Sequence, residues 1–292
     1  MKNKGFTLVE LLVVIAIIAM LMSILLPAMA MVKAVARKMV CGTNLSAIGK
    51  TMVMYSNDYD GSFPVAGGPQ AVWCTLGYIL DWSAEFPDDA FGEPGKNTAT
   101  ISSSLYLLVK FYEMQPKQFV CKGDKNTKPL KEKDLQIQGL PLDLEFVDVW
   151  DFGGDQESFP GIHCSYSYHM PYFDGVGNPG LPITSTSSEA SPVCADRNPY
   201  LDTNVTMLEE DISNAATHDY EGQNVLFCSG EVSFYKSPSV GIKGNNIWQY
   251  NDQFPNQQQI PSGKGDGAPV FIQEEERQFI DAYLVNEDQV PY

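Results

Sequence analysis

Basic and histidine side chains are scarce in this chain of 292 residues, which has 19 lysines and arginines, 36 acidic residues and only 3 histidines. The formal net charge is −17 at neutral pH, and the few cations form no stripe that could follow a phosphate backbone. We therefore exclude nucleic acid as a partner. The acidity favours solubility and keeps crowded copies of the chain apart.

Catalytic sequence motifs are also missing, because the chain contains no G-x-S-x-G, no H-E-x-x-H and no phosphate-binding loop. It has no C-x-x-C pair, which argues against a zinc ribbon or a thioredoxin-like site. His163 and His169 could join Cys194 or Cys228 around a metal, but hydrogen-bonded loop histidines and disulfide cysteines are the commoner arrangement. We predict neither an enzyme nor a metal centre.

Ionisable side chains are absent from Leu11 to Val32. As a helix rising about 1.5 Å per residue, this run is roughly 33 Å long, enough for a bilayer core of about 30 Å. One carboxylate, Glu10, lies at its head, where an acid is costly unless it has a partner. Pro27 removes a backbone donor and predicts a kink in the helix.

The partner of Glu10 is the main question that this apolar run raises. If the chain were cut after Gly5, a new α-amino group would appear on Phe6, four residues before Glu10. Helices packed side by side with an axial offset would let the carboxylate of one copy meet the amine of the next. This interpretation is a mechanism of assembly, not of catalysis.

The segment KNKGFTLVELL, residues 2–12, resembles the start of type IV prepilins and type II secretion pseudopilins. The resemblance implies peptidase cleavage between Gly5 and Phe6, N-methylation of Phe6 and an assembly role for Glu10. It also implies a single-pass inner-membrane protein with a short cytoplasmic N-terminus and a head in the periplasm or on the cell surface. Its implied partners are further copies, other pilins or pseudopilins, the prepilin peptidase and methyltransferase, the inner-membrane assembly platform and membrane lipid.

Two other functions stay open at this point. A secretory signal peptide cut near Ala30 would release a soluble protein, although the apolar run is too long and Glu10 interrupts its beginning. A low-copy tip subunit would use its large head for adhesion or substrate contact. Our main prediction is that the chain is a structural subunit of a type IV pilus or a type II secretion pseudopilus.

The helix is predicted to continue past the membrane, from about Phe6 to about Asn57, where Asn57–Gly61 supplies a stop. A stripe at helical spacing marks the face that covers a sheet. Its members are Leu45, Ile48, Met52, Tyr55 and Tyr59.

Four regions follow from this reading. We predict a leader peptide at 1–5, a transmembrane and assembly helix at 6–32, an amphipathic continuation at 33–58 and an exported globular head at 59–292. The fold class is α+β, with the long helix packed on an antiparallel β-sheet head that has long loops.

Local patterns in the head predict a few elements. Ile101 to Tyr112 has helical spacing after two candidate caps, Thr98 and Thr100. Phe119–Cys121 reads as a short strand, and 273–284 reads as a final acidic helix. Gln223 to Tyr235 predicts a β-hairpin with a two-residue connection, Ser229–Gly230.

Two further segments carry the resemblance into the head. The stretch from Cys41 through Gly49 looks like the post-membrane helix of a large pilin-like family. His218, then Asn224–Phe227, then Ser229–Gly230 is similar to that family's C-terminal strand signature. Ser229 stands where the family usually has Asp, which puts any role of that Asp in doubt. The resemblance implies a long helix against an antiparallel sheet.

Six cysteines in an exported domain predict disulfides whose connectivity the sequence leaves open. They are Cys41, Cys74, Cys121, Cys164, Cys194 and Cys228. The resemblance also implies Ca²⁺ as a candidate cofactor in a C-terminal loop, but 251–268 offers few acids and no ligand can be named. Asn57–Gly61 looks like part of an EF-hand, yet Ser56 and Gly67 fail two ligand positions, so we interpret it as a turn.

Overall fold

The computed structural model describes 7–67, 71–73, 98–135, 144–152, 160–169, 171, 183–199, 214–241, 247–248 and 284–285. Two regions with sequence predictions lie outside these residues, the loop at 251–268 and most of the acidic helix predicted at 273–284. Leu284, the last residue of that predicted helix, lies in a short strand instead. The division into four regions stays a prediction.

A single helix, α1 (Leu8–Asp58), makes up most of the N-terminal part of the chain. Its 51 residues correspond to roughly 76 Å at about 1.5 Å per residue. The helix continues through Pro27, whose missing N–H leaves the carbonyl of Ser23 without its usual helical donor. The predicted extent, from about Phe6 to about Asn57, is confirmed within two residues, and the kink at Pro27 stays a prediction.

The second half of α1 packs into the head. Leu45, Ile48, Met52 and Tyr55 are buried, as the stripe predicts, whereas Tyr59 is 41% exposed and stacks on Tyr55 at the helix end. The helix ends where Asp60 and Gly61 take positive φ angles of 50° and 80°. The turn predicted at Asn57–Gly61 is therefore present.

Gly49 explains how closely α1 approaches the sheet. A Cβ atom at this position would lie 2.8 Å from Cδ1 of Leu226, which is closer than real Cβ contacts come. Gly49 weakens the helix intrinsically, but it lets the helix backbone pack directly against the side chain of Leu226.

The main sheet has five strands, all paired antiparallel, in the spatial order β6-β5-β4-β3-β7. A separate parallel pair joins β1 and β2. The predicted α+β class, a long helix on an antiparallel sheet, is confirmed. The strands are β1 (Val72–Trp73), β2 (Thr98–Ala99), β3 (Tyr166–His169), β4 (Pro192–Asp196), β5 (Gln223–Phe227), β6 (Val232–Tyr235) and β7 (Leu284–Val285).

The predicted hairpin is β5 and β6, with Gln223 opposite Tyr235 and Leu226 opposite Val232. Its connection is longer than predicted. The N–H of Phe227 bonds the carbonyl of Glu231, and the N–H of Gly230 bonds the carbonyl of Phe227. Gly230 has a φ of +83°, so the turn uses a left-handed glycine after a tight bend rather than a two-residue loop.

The second helix, α2 (Ile101–Tyr112), begins at its predicted cap, because the hydroxyl of Thr100 accepts a bond from the N–H of Ser103. The strand predicted at Phe119–Cys121 is wrong. Pro116–Phe119 forms a 3₁₀ turn instead. The ring of Pro116 fixes the φ angle of the first residue of this turn, and proline has no N–H to donate to a neighbouring β-strand. This turn delivers Cys121 to the second half of α1.

Candidate functional site

The first half of α1 is an uncovered apolar surface. Every residue from 7 to 33 is exposed within the described part of the chain. This helix is long and apolar enough to cross a membrane, and none of its most apolar window is buried. Length and composition alone do not distinguish a membrane span from a signal sequence near an N-terminus.

Glu10 has a partner within its own chain, which the sequence argument missed. The N–H and the hydroxyl of Thr7 both donate to Oε2 of Glu10, at 2.8 and 2.7 Å. The N–H of Glu10 in turn donates to the hydroxyl of Thr7 at 3.3 Å. This is a capping box, and its T-x-x-E pattern was readable from the sequence. The carboxylate is therefore held at the helix start by its own chain.

One disulfide ties α1 to the head. Cys41 on α1 bonds Cys121, with Cα atoms 5.2 Å apart and a sequence separation of 80. In the chain-entropy account, closing a loop of that size stabilises the fold by about 4.5 kcal/mol. The bridge therefore locks the long helix to the domain that it carries.

The other described cysteines differ from the prediction. Cys164, Cys194 and Cys228 are free thiols, so they do not form the additional bridges expected of them, and Cys74 lies outside the described residues. Burial raises the pKa of Cys164 to about 12 and that of Cys194 well above its usual value. Such thiols stay protonated at neutral pH and are poor nucleophiles.

The three histidines do not come together. A ring nitrogen of His163 lies 2.8 Å from the carbonyl of Lys128, and His169 ends β3. The grouping considered for them, with Cys194 or Cys228, is not among the close side-chain clusters of the described residues.

His218 instead lies beside the disulfide. Its Nε2 is 3.7 Å from Sγ of Cys121 and 3.0 Å from Oδ2 of Asp196. Cys41, Cys121, Asp196 and His218 have potential ligand atoms all within 4.8 Å of one another. In the sequence, His218 stands out only as part of a strand signature. No spacing rule joins it to residues so far away in the chain, so this cluster was missed.

Ser229 occupies the hairpin turn. It is exposed, and its hydroxyl accepts a bond from the N–H of Glu231 at 3.3 Å. The serine therefore supplies the turn-capping acceptor that an Asp at this position would also supply. Asp58, in the stretch that resembles part of an EF-hand, accepts a bond of 2.6 Å from the hydroxyl of Tyr112.

Comparison with known proteins identifies a family motif at the N-terminus. Residues 1–26 match the family described as the prokaryotic N-terminal methylation motif. No curated protein and no solved structure matches the chain. The match covers the candidate cut site, Glu10 and most of the apolar run, but it leaves the head untouched. Residues 1–26 therefore carry a prokaryotic N-terminal methylation motif, which supports a likeness of this chain to type IV pilins and pseudopilins.

Proposed function

We propose that this chain is a subunit of a type IV pilus or a type II secretion pseudopilus, cleaved after Gly5 and methylated on Phe6. The observation that carries the proposal is the wholly exposed apolar half of α1 immediately behind a methylation motif. Burying one large aliphatic side chain contributes about 1.5–3 kcal/mol. Side-by-side packing of many copies of this half-helix is therefore strongly favourable once the chain leaves the lipid.

Before assembly, the same half of α1 spans the inner membrane. The leader stays in the cytoplasm and the head lies on the far side, where the disulfide of Cys41 and Cys121 suits an oxidising compartment. Lys33 and Arg37 are exposed and follow the apolar run directly, where their long side chains reach the headgroup level of a bilayer. Loss of Lys2 and Lys4 with the leader changes the formal charge from −17 to −19, which keeps the heads soluble.

In this proposal, Glu10 fixes the axial offset between neighbouring subunits. Both bonds from Thr7 go to Oε2, so Oε1 is left to accept from the freed amine of Phe6 on an adjacent copy. The capping box orients the carboxylate, and the opposite charge of the amine provides the attraction. In a dry helix bundle each group is costly without the other.

The capping box allows the two roles of Glu10 to be separated by mutation. Gln also completes a capping box but carries no charge, whereas Ala removes both features. We expect Glu10→Gln and Glu10→Ala to be processed normally and to give few filaments by electron microscopy. Thr7→Val loses the hydroxyl of the cap at a cost of about 1 kcal/mol but keeps the charge of Glu10 and the N–H that donates to it, so it should give more filaments than Glu10→Gln. Normal filaments from Glu10→Gln would refute the charge-pairing mechanism.

The cut site has an independent test. Gly5→Asp should leave the precursor uncut, visible as a larger species on a gel, while Asn3→Ala in the same leader should be cut normally. Mass spectrometry of the mature wild-type chain should show an N-terminal methylated Phe6. A mature chain that begins near position 31 and is released from the membrane would overturn the proposal.

A further inference from the structure

The side chains around the disulfide come from four separate parts of the fold. Cys41 lies on α1, Cys121 follows the 3₁₀ turn Pro116–Phe119, Asp196 ends β4 and His218 ends the short 3₁₀ turn Ala216–His218. All four are buried, with exposures between 0% and 4%. Once the disulfide is reduced, these residues offer two thiolates, an imidazole and a carboxylate, all of which are ligand types that Zn²⁺ takes.

Two of the distances between these groups are close to the edges of a zinc tetrahedron, and the ligand atoms all lie within 4.8 Å of one another. With Zn–S near 2.3 Å and Zn–N or Zn–O near 2.0–2.2 Å, tetrahedral edges are about 3.5 Å for sulfur to nitrogen and about 3.3 Å for nitrogen to oxygen. The observed values are 3.7 Å from Cys121 Sγ to His218 Nε2 and 3.0 Å from that nitrogen to Asp196 Oδ2. The two sulfurs must separate to about 3.8 Å.

Hydrogen bonds from the backbone and Asn224 already orient these groups. The N–H and the side-chain amide of Asn224 donate to Asp196 Oδ2 at 2.7 and 3.0 Å. The N–H of Gly123 donates to Cys121 Sγ at 3.3 Å, as it would to a metal-bound thiolate. Oδ1 of Asp196 is buried with no hydrogen-bond partner among the described residues. Such outer contacts fix ligand orientation in known metal sites.

Gly123 is required for this convergence. A Cβ atom at Gly123 would lie 1.9 Å from the carbonyl of Thr217, so only glycine lets the turn after Cys121 reach the turn that carries His218. Two loops far apart in sequence thus meet at backbone distance beside the sulfur atoms.

We propose that the dithiol form of this protein binds one Zn²⁺ through Cys41, Cys121, Asp196 and His218. Reduction by a dithiol compound breaks the sulfur–sulfur bond, gives two protein thiols and converts the reductant to its own disulfide. Zn²⁺ binding then releases both thiol protons to the solvent, and His218 coordinates through Nε2 as the tautomer whose proton is on Nδ1. The site has two closed states, a disulfide under oxidising conditions and a zinc centre when reduced, and each clamps α1 to the head. This inference does not depend on filament assembly.

The test uses the full chain in detergent, reduced with a phosphine that is then removed under anaerobic conditions. Co²⁺ is the probe, because its thiolate complexes show a sulfur-to-metal charge-transfer band and tetrahedral visible bands. We expect one Co²⁺ per chain, displaced by Zn²⁺, and no such band from the oxidised protein. Cys41→Ser and His218→Gln should weaken binding at least tenfold, and Asn224→Ala about 10–100-fold. Cys228→Ser removes a free thiol elsewhere and should change nothing.

A second readout guards against variants that fail to fold. In the reduced wild-type chain, Zn²⁺ should slow the reaction of two thiols with a thiol-specific reagent, and circular dichroism should show the helix content unchanged. Reduced wild-type protein with no charge-transfer band would overturn the proposal. So would a band that persists in folded Cys41→Ser, or one that disappears in Cys228→Ser.

Discussion

Asp151 lies fully buried beside the start of α2 and makes the stability of the head depend on pH. Its carboxylate accepts bonds from the hydroxyls of Thr100 and Ser102 and from the N–H of Phe152. Burial outweighs these bonds, which favour the ionised form, and raises the pKa of Asp151 from 3.8 to about 6. At a pH between these two values, Asp151 is therefore protonated in the folded head but ionised in the unfolded chain.

The sign follows from the proton balance. Between about pH 4 and about pH 6 the folded state binds more protons than the unfolded state, so the free energy of unfolding falls as pH rises. The stabilising contribution is complete below the unfolded pKa and is lost above the folded one. The difference between 3.8 and about 6 corresponds to about 3 kcal/mol.

Asp151→Asn tests this reasoning, because an amide of nearly the same shape cannot ionise. Denaturant unfolding of the detergent-solubilised chain at about pH 4 and about pH 7 should show the variant gaining about 2.5 kcal/mol relative to wild type at the higher pH, which is most of the full difference. The matched control is Asp60→Asn, which changes an exposed aspartate in the turn after α1. Its free energy of unfolding should depend on pH in the same way as that of wild type. The prediction would be refuted if the difference in the free energy of unfolding between Asp151→Asn and wild type were the same at both pH values.

Two further predictions concern the join between α1 and the head. Gly49→Ala places a methyl against Leu226 and should cost about 1–3 kcal/mol in the free energy of unfolding, whereas Lys50→Ala on the exposed side should have little effect. The double variant Cys41→Ser with Cys121→Ser, compared without metal to the oxidised wild type, should lose about 4.5 kcal/mol. Denaturant titration measures both changes. A wild-type midpoint for Gly49→Ala would contradict the packing argument, and a wild-type midpoint for the double cysteine variant would contradict the cross-link argument.

Local sequence patterns predicted the elements that depend on near neighbours. The stripe on α1, the cap at Thr100 and the pairing of β5 with β6 are all present, because helical spacing, side-chain caps and hairpin turns act over a few residues. The same reasoning failed at Phe119, where Pro116 starts a 3₁₀ turn. The cap that Thr7 provides for Glu10 also follows from a local pattern, T-x-x-E, and was not among the predictions.

The strands β3 and β4 were not predicted, and their composition explains why. Both are buried on both faces, so polar and apolar residues do not alternate along them. Ser167 and Asp196 are polar yet fully buried, because they bond other parts of the head. A pattern of exposure cannot be read from strands that are covered on both sides.

The sequence by itself determined the character of the N-terminus. An uncharged run, one acid at its head and a methylation motif occupy adjacent residues, and their chemistry does not depend on the rest of the fold. Only the tertiary structure decided that Cys41 pairs with Cys121 and that Asp196 and His218 meet them. These four residues come from distant parts of the chain, and their approach follows from how α1 packs on the sheet, which no local pattern encodes.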